Sequence, residues 1–485
     1  MRILFVTAEA VPFAKTGGLA DVAGAVPKSL RALGEDIALI LPYYRQARQA
    51  FAERVADTGL RLTAPVGPES PSAALLRTEL PGSDVPVYLV DQPAFFDREQ
   101  LYGTPAGDYP DNAARFAFFS KAVLAAAKAL NWSPDLYHCN DWQTALVPVY
   151  LRTTHANNPF YRDARSLLTI HNLAYQGVFP REAFALTGLP EARFNWREFE
   201  FYGKLNLLKG GIVHADRLNA VSKRYAQEIQ TPEFGCGLEG VLATRAEHLH
   251  GILNGIDYAV WNPATDSLLP AHYGPDDLAG KAACKRALQE RCGLPARDVP
   301  LLGLISRLDE QKGLDLIAAI LPELARLDLQ FVLLGTGKRE LQDRLGAAGK
   351  QFPDRLSIQL AFNNQLAHQI EAACDIYLMP SRYEPCGLNQ LYSLKYGAVP
   401  VVRKTGGLAD TITNCTPTSL AKGAANGFSF ESYSAGALLH CIRRALRLYG
   451  DRRSWRRLMR IGMTQDWSWD ASAREYLELY KTARA

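Results

Sequence analysis

Eleven short apolar runs, separated mostly by longer stretches of helical periodicity, constrain this chain more than any other feature. Six lie in the first half, "RILFVTA", "DIALILP", "VPVYLVD", "DLYHCND", "RSLLTIHN" and "RLNAVS". Five lie in the second, "PLLGLISR", "LQFVLLGTG", "LSIQLAF", "DIYLMPS" and "AVPVVRK". Such alternation is the pattern of parallel βαβ units with helices on both faces of a sheet. An α/β fold of two doubly wound sheets is therefore expected. The stretch between the two sets, "ILNGIDYAVWNPATD", is rich in Asn, Gly, Pro and Asp and reads as a turn or linker. Domains are expected over 1–250 and 251–464. The tail 465–485 reads as an amphipathic helix with Trp467 and Trp469 at its start, crossing back to the first domain or capping the second.

Composition narrows the function. The chain of 485 residues is 48% hydrophobic and 21% charged, an ordinary globular balance. Its 54 basic and 50 acidic residues leave a net charge of +4 with no long basic run, which argues against an extended nucleic-acid surface. The eight cysteines are scattered, with no C-x-x-C and no His partner at zinc-site spacing, so free thiols in a reducing cytosol are expected. The most apolar later stretch, Leu314 to Leu334, is interrupted by Asp315, Glu323, Arg326 and Asp328, so no membrane span is predicted. The opening "MRILFVTAEA" reads as a buried strand, not a signal peptide, and a cytoplasmic location is expected.

One heptapeptide, "KTGGLAD", occurs twice, at Lys15 to Asp21 and at Lys404 to Asp410. Each copy follows a predicted strand and precedes a helical pattern, so each loop is expected at the carboxyl end of a parallel strand, where open α/β sheets bind ligands. Glycines let backbone come close to a ligand, and a helix start favours an anion. Lys15, Gly17, Gly18 and Asp21 in one copy, and Thr405, Gly406 and Gly407 in the other, are thus candidate ligand contacts. A tight strand-to-helix turn would use Gly-Gly equally well.

Other polar residues follow strands in the same way. "SRLDEQKG" sets Arg307 and Lys312 after a strand, two cations suited to a diphosphate. "PSRYEPCGLNQLYSLKYG" sets Glu384 before a helix start at Gly387 and Leu388, either beside a reacting sugar or as a helix-cap acid. Cys386 has no nameable base and reads as an inert small residue. "HCNDWQTAL" and "TIHNLAYQGVFP" add Asp141, Trp142, His171 and Asn172 at strand ends, whereas "DYPDNAARFAFFSKAVL" is most simply a core helix.

Together "KTGGLADV", "HCNDWQTAL", "HNLAYQGVFP", "LNGID", "SRLDEQKG" and "SRYEPCGLNQLYSLKYG" closely resemble the bacterial glycogen synthase and plant starch synthase family, in order and over nearly the whole chain. The resemblance implies two facing Rossmann-like domains of GT-B type with an interdomain cleft. It implies a retaining transfer of glucose from ADP-glucose to an α-1,4-glucan such as glycogen, with no cofactor, metal, nucleic acid or membrane. By the same resemblance Lys15 and Gly18 match the donor loop, Arg307 and Lys312 the diphosphate grip, and Glu384 the essential carboxylate. Asp141 and His171 match sugar contacts, Asn254 the cleft lining, and Phe362 a tyrosine that stacks on adenine. The wider class of retaining transferases often carries a second Glu eight residues after the first; here Tyr392 stands there. A front-face displacement, with the leaving phosphate helping to deprotonate the acceptor, is the mechanism expected. The alternatives are a catalytically silent glucan-binding protein and a transferase that uses UDP-glucose or makes a small glucoside.

Overall fold

In the strand Arg2–Val6, Ile3, Phe5 and Val6 are fully buried, because parallel strands pair on both sides of it and helices cover both faces. It sits inside a nine-stranded sheet of the computed structural model, which describes residues 1–104 and 106–484. Seven strands are parallel, in the order Leu249–Gly251, Arg217–Ala220, Arg165–Ile170, Leu136–Asn140, Arg2–Val6, Asp36–Pro42 and Pro86–Asp91. Chain order reverses between Arg2–Val6 and Leu136–Asn140, which makes that junction the switch point of the sheet.

The second sheet is parallel throughout, in the order Leu356–Gln359, Gln330–Leu334, Leu301–Ile305, Ile376–Met379, Val399–Arg403 and Phe428–Phe430. Its order reverses between Leu301–Ile305 and Ile376–Met379. All eleven apolar runs form strands.

The antiparallel strands Ala56–Thr63, at the sheet edge, and Ser72–Glu79 beside it were not predicted, and their burial explains why. Few of their side chains are buried, and the pairing is interrupted between Asp57 and Arg61, where Gly59 has a left-handed φ of 76°. No apolar run marks such a strand. Leu249–Gly251 and Phe428–Phe430, three residues each at sheet edges, also escape. The aromatic segment expected in the core is the helix Asn112–Ala129, buried over most of its length.

Two compact units result: Met1–Asn254 together with the chain from Trp469, and Gly255–Ser468. They divide a few residues beyond 250 and 464, since Leu249–Gly251 still belongs to the first sheet and Ile256 donates its N–H to the Trp467 carbonyl within the second unit. The tail is the helix Trp469–Arg484, and it packs on the first unit. Trp469, Ala473, Tyr476, Tyr480 and Ala483 recur at helical spacing, and they join Ile3, Phe5, Ile37 and Leu39 in one core. Tyr480 Oη lies 2.7 Å from His138 Nδ1, and Asn219 Nδ2 donates to Tyr476 Oη at 3.1 Å. Among the described residues no helix is long and apolar enough to cross a membrane.

Tyr480→Phe leaves a buried imidazole nitrogen without its partner, so it should lower stability by about 1–2 kcal/mol. Tyr480→Ala, which also opens a cavity, should cost about 3–5 kcal/mol. Urea denaturation reads both, and a Tyr480→Phe variant as stable as the parent would mean that the hydroxyl contributes nothing.

Candidate functional site

In the first unit the loop that leaves Arg2–Val6 is held by Glu9, a buried carboxylate. It accepts from Thr16 N (2.5 Å), Thr16 Oγ1 (2.6 Å), Gly17 N (3.2 Å) and Tyr102 Oη (2.7 Å). The helix Gly18–Ala32 then begins at the repeat's glycines. Gly17 and Gly18 are exposed, and a Cβ on either would meet nothing within 4 Å. The Lys15 ammonium reaches Asp21 Oδ1 at 2.6 Å.

Across the switch point Asp141 ends the strand Leu136–Asn140 with φ 56°, unusual for a residue with a side chain. Asp141 Oδ1 accepts the backbone N–H of His171 at 2.7 Å, and His171 Nε2 lies 2.9 Å from Asn140 Oδ1. Asn140 Nδ2 donates to the Val6 carbonyl, so its oxygen faces the imidazole and the neutral ring carries its proton on Nε2. Burial pushes the Asp141 carboxyl up to about 7 against the N–H groups of His171 and Asn172, and it pushes His171 down to about 3. This imidazole is a neutral hydrogen-bonding group at ordinary pH, not an acid.

The second unit repeats the arrangement at its own switch point. Lys312, after Leu301–Ile305, donates to both oxygens of Glu384, after Ile376–Met379, at 2.9 and 2.7 Å. The buried Ser381 hydroxyl donates to Glu384 Oε2 at 2.9 Å. Gly313, with φ 73°, lets the two loops meet: a Cβ there would lie 2.1 Å from the Pro380 carbonyl oxygen. The half-exposed Arg307 stands 3.6 Å from Asp309 and 3.3 Å from Gln311 Oε1. A cavity of about 170 Å³ lies among Arg307, Lys312, Ser381, Glu384, Gly387 and Asn389.

The second copy of the heptapeptide is used differently. Thr405, Gly406 and Gly407 are buried, and the helix Gly406–Thr411 starts one position earlier in the motif. A Cβ at Gly406, whose φ is 44°, would lie 1.9 Å from the Glu384 carbonyl oxygen. One at Gly407 would lie 2.0 Å from that of Cys386, and Gly407 N donates to Glu384 O at 3.1 Å. Lys404 pairs with Glu431. These glycines therefore support the backbone of the Glu384 loop, whereas those of the first copy face open space. Identical letters do two jobs.

The remaining candidates fall as follows. Cys386 is buried, and the helix after it starts at Asn389 rather than at Gly387 and Leu388, with Gly387 at φ 74°. Glu384 does not cap it. Asn254 is buried with its side-chain oxygen unpaired among the described residues. Phe362 is 93% exposed, beyond the strand Leu356–Gln359. Tyr392 stacks on Trp261 with ring centres 3.9 Å apart, so an aromatic plane fills the place of a second carboxylate.

Comparison with known proteins agrees with this geometry. Residues 2–244 match the starch synthase catalytic domain family, and residues 291–460 match the glycosyl transferases group 1 family. A glycogen synthase of Koribacter versatilis is 47% identical over 100% of this chain and 98% of its own length. This chain belongs to the glycogen and starch synthase family. A second relative, glycogen synthase 2 of Geobacter sulfurreducens, is 50% identical over 100% of this chain and 99% of its own. The catalytic domain of starch synthase IV from Arabidopsis thaliana, solved with ADP and acarbose, superposes with TM-score 0.90 at 33% identity, covering 100% of this chain and 99% of that one. A sucrose-phosphate synthase from Thermosynechococcus elongatus shares the fold at TM-score 0.60 and 16% identity, over 99% and 98% of the two chains. The protein is a glycosyltransferase with the GT-B fold of this family.

At the two switch points, sequence reasoning missed Glu9, Tyr102 and Asn140 in the first unit and Ser381 in the second. Glu9 left a signal, a lone acid directly after the apolar run "RILFVTA". Asn140 stands inside the strand run "DLYHCND", where a polar side chain needs a partner.

Gly406→Ala should destabilise the synthase by more than about 2 kcal/mol, whereas Gly18→Ala should change stability by less than about 0.5 kcal/mol. Denaturant midpoints of the two variants check this, and equal losses would show that both copies are structural. The two buried titrations oppose each other. The Asp141 contribution, from a raised carboxyl, is complete below its ordinary value and is lost as pH rises towards about 7. The His171 contribution, from a lowered imidazole, is complete above its ordinary value and is lost as pH falls towards about 3. In Asp141→Asn only the second remains. The melting temperature should then gain several degrees more than in the parent between about pH 5 and about pH 7.5. An unchanged difference would mean that Asp141 is ionised throughout that range.

Proposed function

We propose that this synthase transfers glucose from ADP-glucose to the non-reducing 4-hydroxyl of an α-1,4-glucan, with retention of anomeric configuration, in the cytoplasm. The observation that carries the reading is the pairing of Lys312 with Glu384 across the second switch point, beside Arg307. Breaking the glucosyl–phosphate bond places negative charge on the diphosphate and positive character on the sugar ring. Arg307 offers a planar fork and Lys312 a point charge to the first, while Glu384 offers a fixed carboxylate to the second. Ser381 and Lys312 hold that carboxylate in one orientation.

The second unit takes the nucleotide sugar, with Phe362 as the ring for adenine and Gly387 and Leu388 beside the phosphates. The first unit takes the acceptor and offers Lys15, Gly17, Gly18 and Asp21 to the donor. Asp141, His171 and Asn254 supply hydrogen bonds to sugar hydroxyls. A double displacement needs a nucleophile as well as an acid, usually two carboxyl groups about 5 Å apart. Tyr392 stands where the second would be, which favours displacement on one face with the leaving phosphate taking the acceptor proton.

The bacterial relatives named glycogen synthase support glycogen as acceptor, and the starch synthase bound to ADP supports an adenine donor. Incorporation of labelled glucose into glycogen, from ADP-glucose and UDP-glucose in parallel, tests the reading. Efficient transfer from ADP-glucose, lowered at least about a hundredfold by Glu384→Ala and by Lys312→Ala, is expected. Transfer from UDP-glucose alone, or a fully active Glu384→Ala, would overturn it, as would trapping a covalent glucosyl-enzyme for the one-face mechanism.

A further inference from the structure

The first unit carries a platform of exposed aromatic rings that the chemistry above does not use. Tyr202 is 82% exposed, Trp196 70% and Tyr175 54%. They stand on and around a small antiparallel sheet of Val178–Phe179, Lys204–Asn206 and Glu200–Phe201. That sheet is anchored. Lys209 Nζ donates to the carbonyls of Trp196 and Glu200, both at 2.6 Å, and Asn206 Nδ2 donates to Gln176 Oε1 at 2.6 Å. Gln176 Nε2 in turn donates to the Cys236 carbonyl, and Gly237 lies so close to Phe201 and Tyr202 that a Cβ would come within 2.9 Å of the Phe201 ring. The segments bearing Tyr175 and Tyr202 thus meet on the 236–237 turn.

Tyr202 is also in an unfavourable conformation. Phe201 and Lys204 pair across a two-residue turn in which Tyr202 has φ 50° and Gly203 φ 78°. Left-handed values at both central positions favour Asn-Gly or Asp-Gly, and a bulky side chain at the first is strained. The ring recovers little of that cost by burial. A strained residue presenting its side chain to solvent is a pointer to function.

The platform is continuous with the Asp141 and His171 shelf. The chain runs from His171 through Tyr175 to Phe179, whose ring meets Trp142 at 5.7 Å, and Gly177 packs directly on the Trp142 ring. A polymeric acceptor places only its terminal glucose at the reacting centre, and the following units must leave across the protein surface. Glucose units present faces of C–H groups that stack on aromatic rings, and their edge hydroxyls are satisfied by water or by a polar rim.

Resting on the proposed polymer acceptor, we infer that the Tyr202, Trp196 and Tyr175 platform binds the α-1,4-glucan behind its reacting end, with the Tyr202 ring stacked on a glucose face. Tyr202→Asn separates this role from a structural one, because Asn tolerates the left-handed turn and removes only the ring. It should melt at or above the parent temperature and raise KM for glycogen about three- to tenfold, leaving kcat and KM for ADP-glucose within about twofold. Tyr202→Phe should behave as the parent, and Trp196→Ala should resemble Tyr202→Asn. An unchanged KM for glycogen, or an equal rise for both substrates, overturns the inference. Migration through a native gel containing glycogen reads binding without turnover: parent retarded and Tyr202→Asn released is the expected result, and equal migration overturns it. If the parent transfers no glucose to glycogen, the proposed function fails, and the gel still decides whether this surface holds glucan.

Discussion

The ion pair between Lys312 and Glu384 joins two loops that are 72 residues apart in sequence and adjacent only because the second sheet reverses its order between their strands. An amine and a carboxylate drawn this far from water gain little net stability from each other, since desolvation offsets most of their attraction. Losing either partner is costly, however, because the other is left without its counter-charge. Everything around the pair serves to keep the loops close: Gly313 against Pro380, Gly406 and Gly407 under the backbone of residues 384 to 386, and Ser381 on the free edge of the carboxylate. The arrangement fixes charge before any substrate arrives, which is the condition for electrostatic catalysis without reorganisation.

The first unit solves the corresponding problem with hydrogen bonds to its backbone. At its switch point the buried Glu9 gathers four donors, and Asp141 and His171 are oriented through backbone N–H groups and the Asn140 amide. Polar side chains there are tied to backbone, so the shelf offers hydrogen bonds in set directions. One sheet thus presents an ion pair and the other presents a hydrogen-bonding surface.

Much of this was legible in the sequence. Buried parallel strands need continuous apolar runs, and polar residues placed directly after those runs fall at the carboxyl ends of strands, so Arg307, Lys312, Glu384, Asp141 and His171 were visible as a set. Edge strands such as Ala56–Thr63 bury few side chains and left no run to read. The two copies of "KTGGLAD" show a deeper limit. Whether a glycine faces solvent or another backbone depends on what packs against it, and Gly406 meets Glu384 only through the fold. Ser381, three residues before Glu384, was in view all along, but nothing in its spacing says that its hydroxyl turns onto that carboxylate.

The helix Trp469–Arg484 contributes six buried side chains to the core around Ile3 and Phe5, so the second unit is, in chain topology, an insertion within the first. During synthesis the inserted unit is complete while its host still lacks part of its core. The core that holds Ile3, Ile37 and Leu39 therefore stays incomplete until the much later helix Trp469–Arg484 has been made. The order of synthesis and the order of completion run in opposite directions, and the interval between them is when this enzyme is most exposed to aggregation and to chaperones.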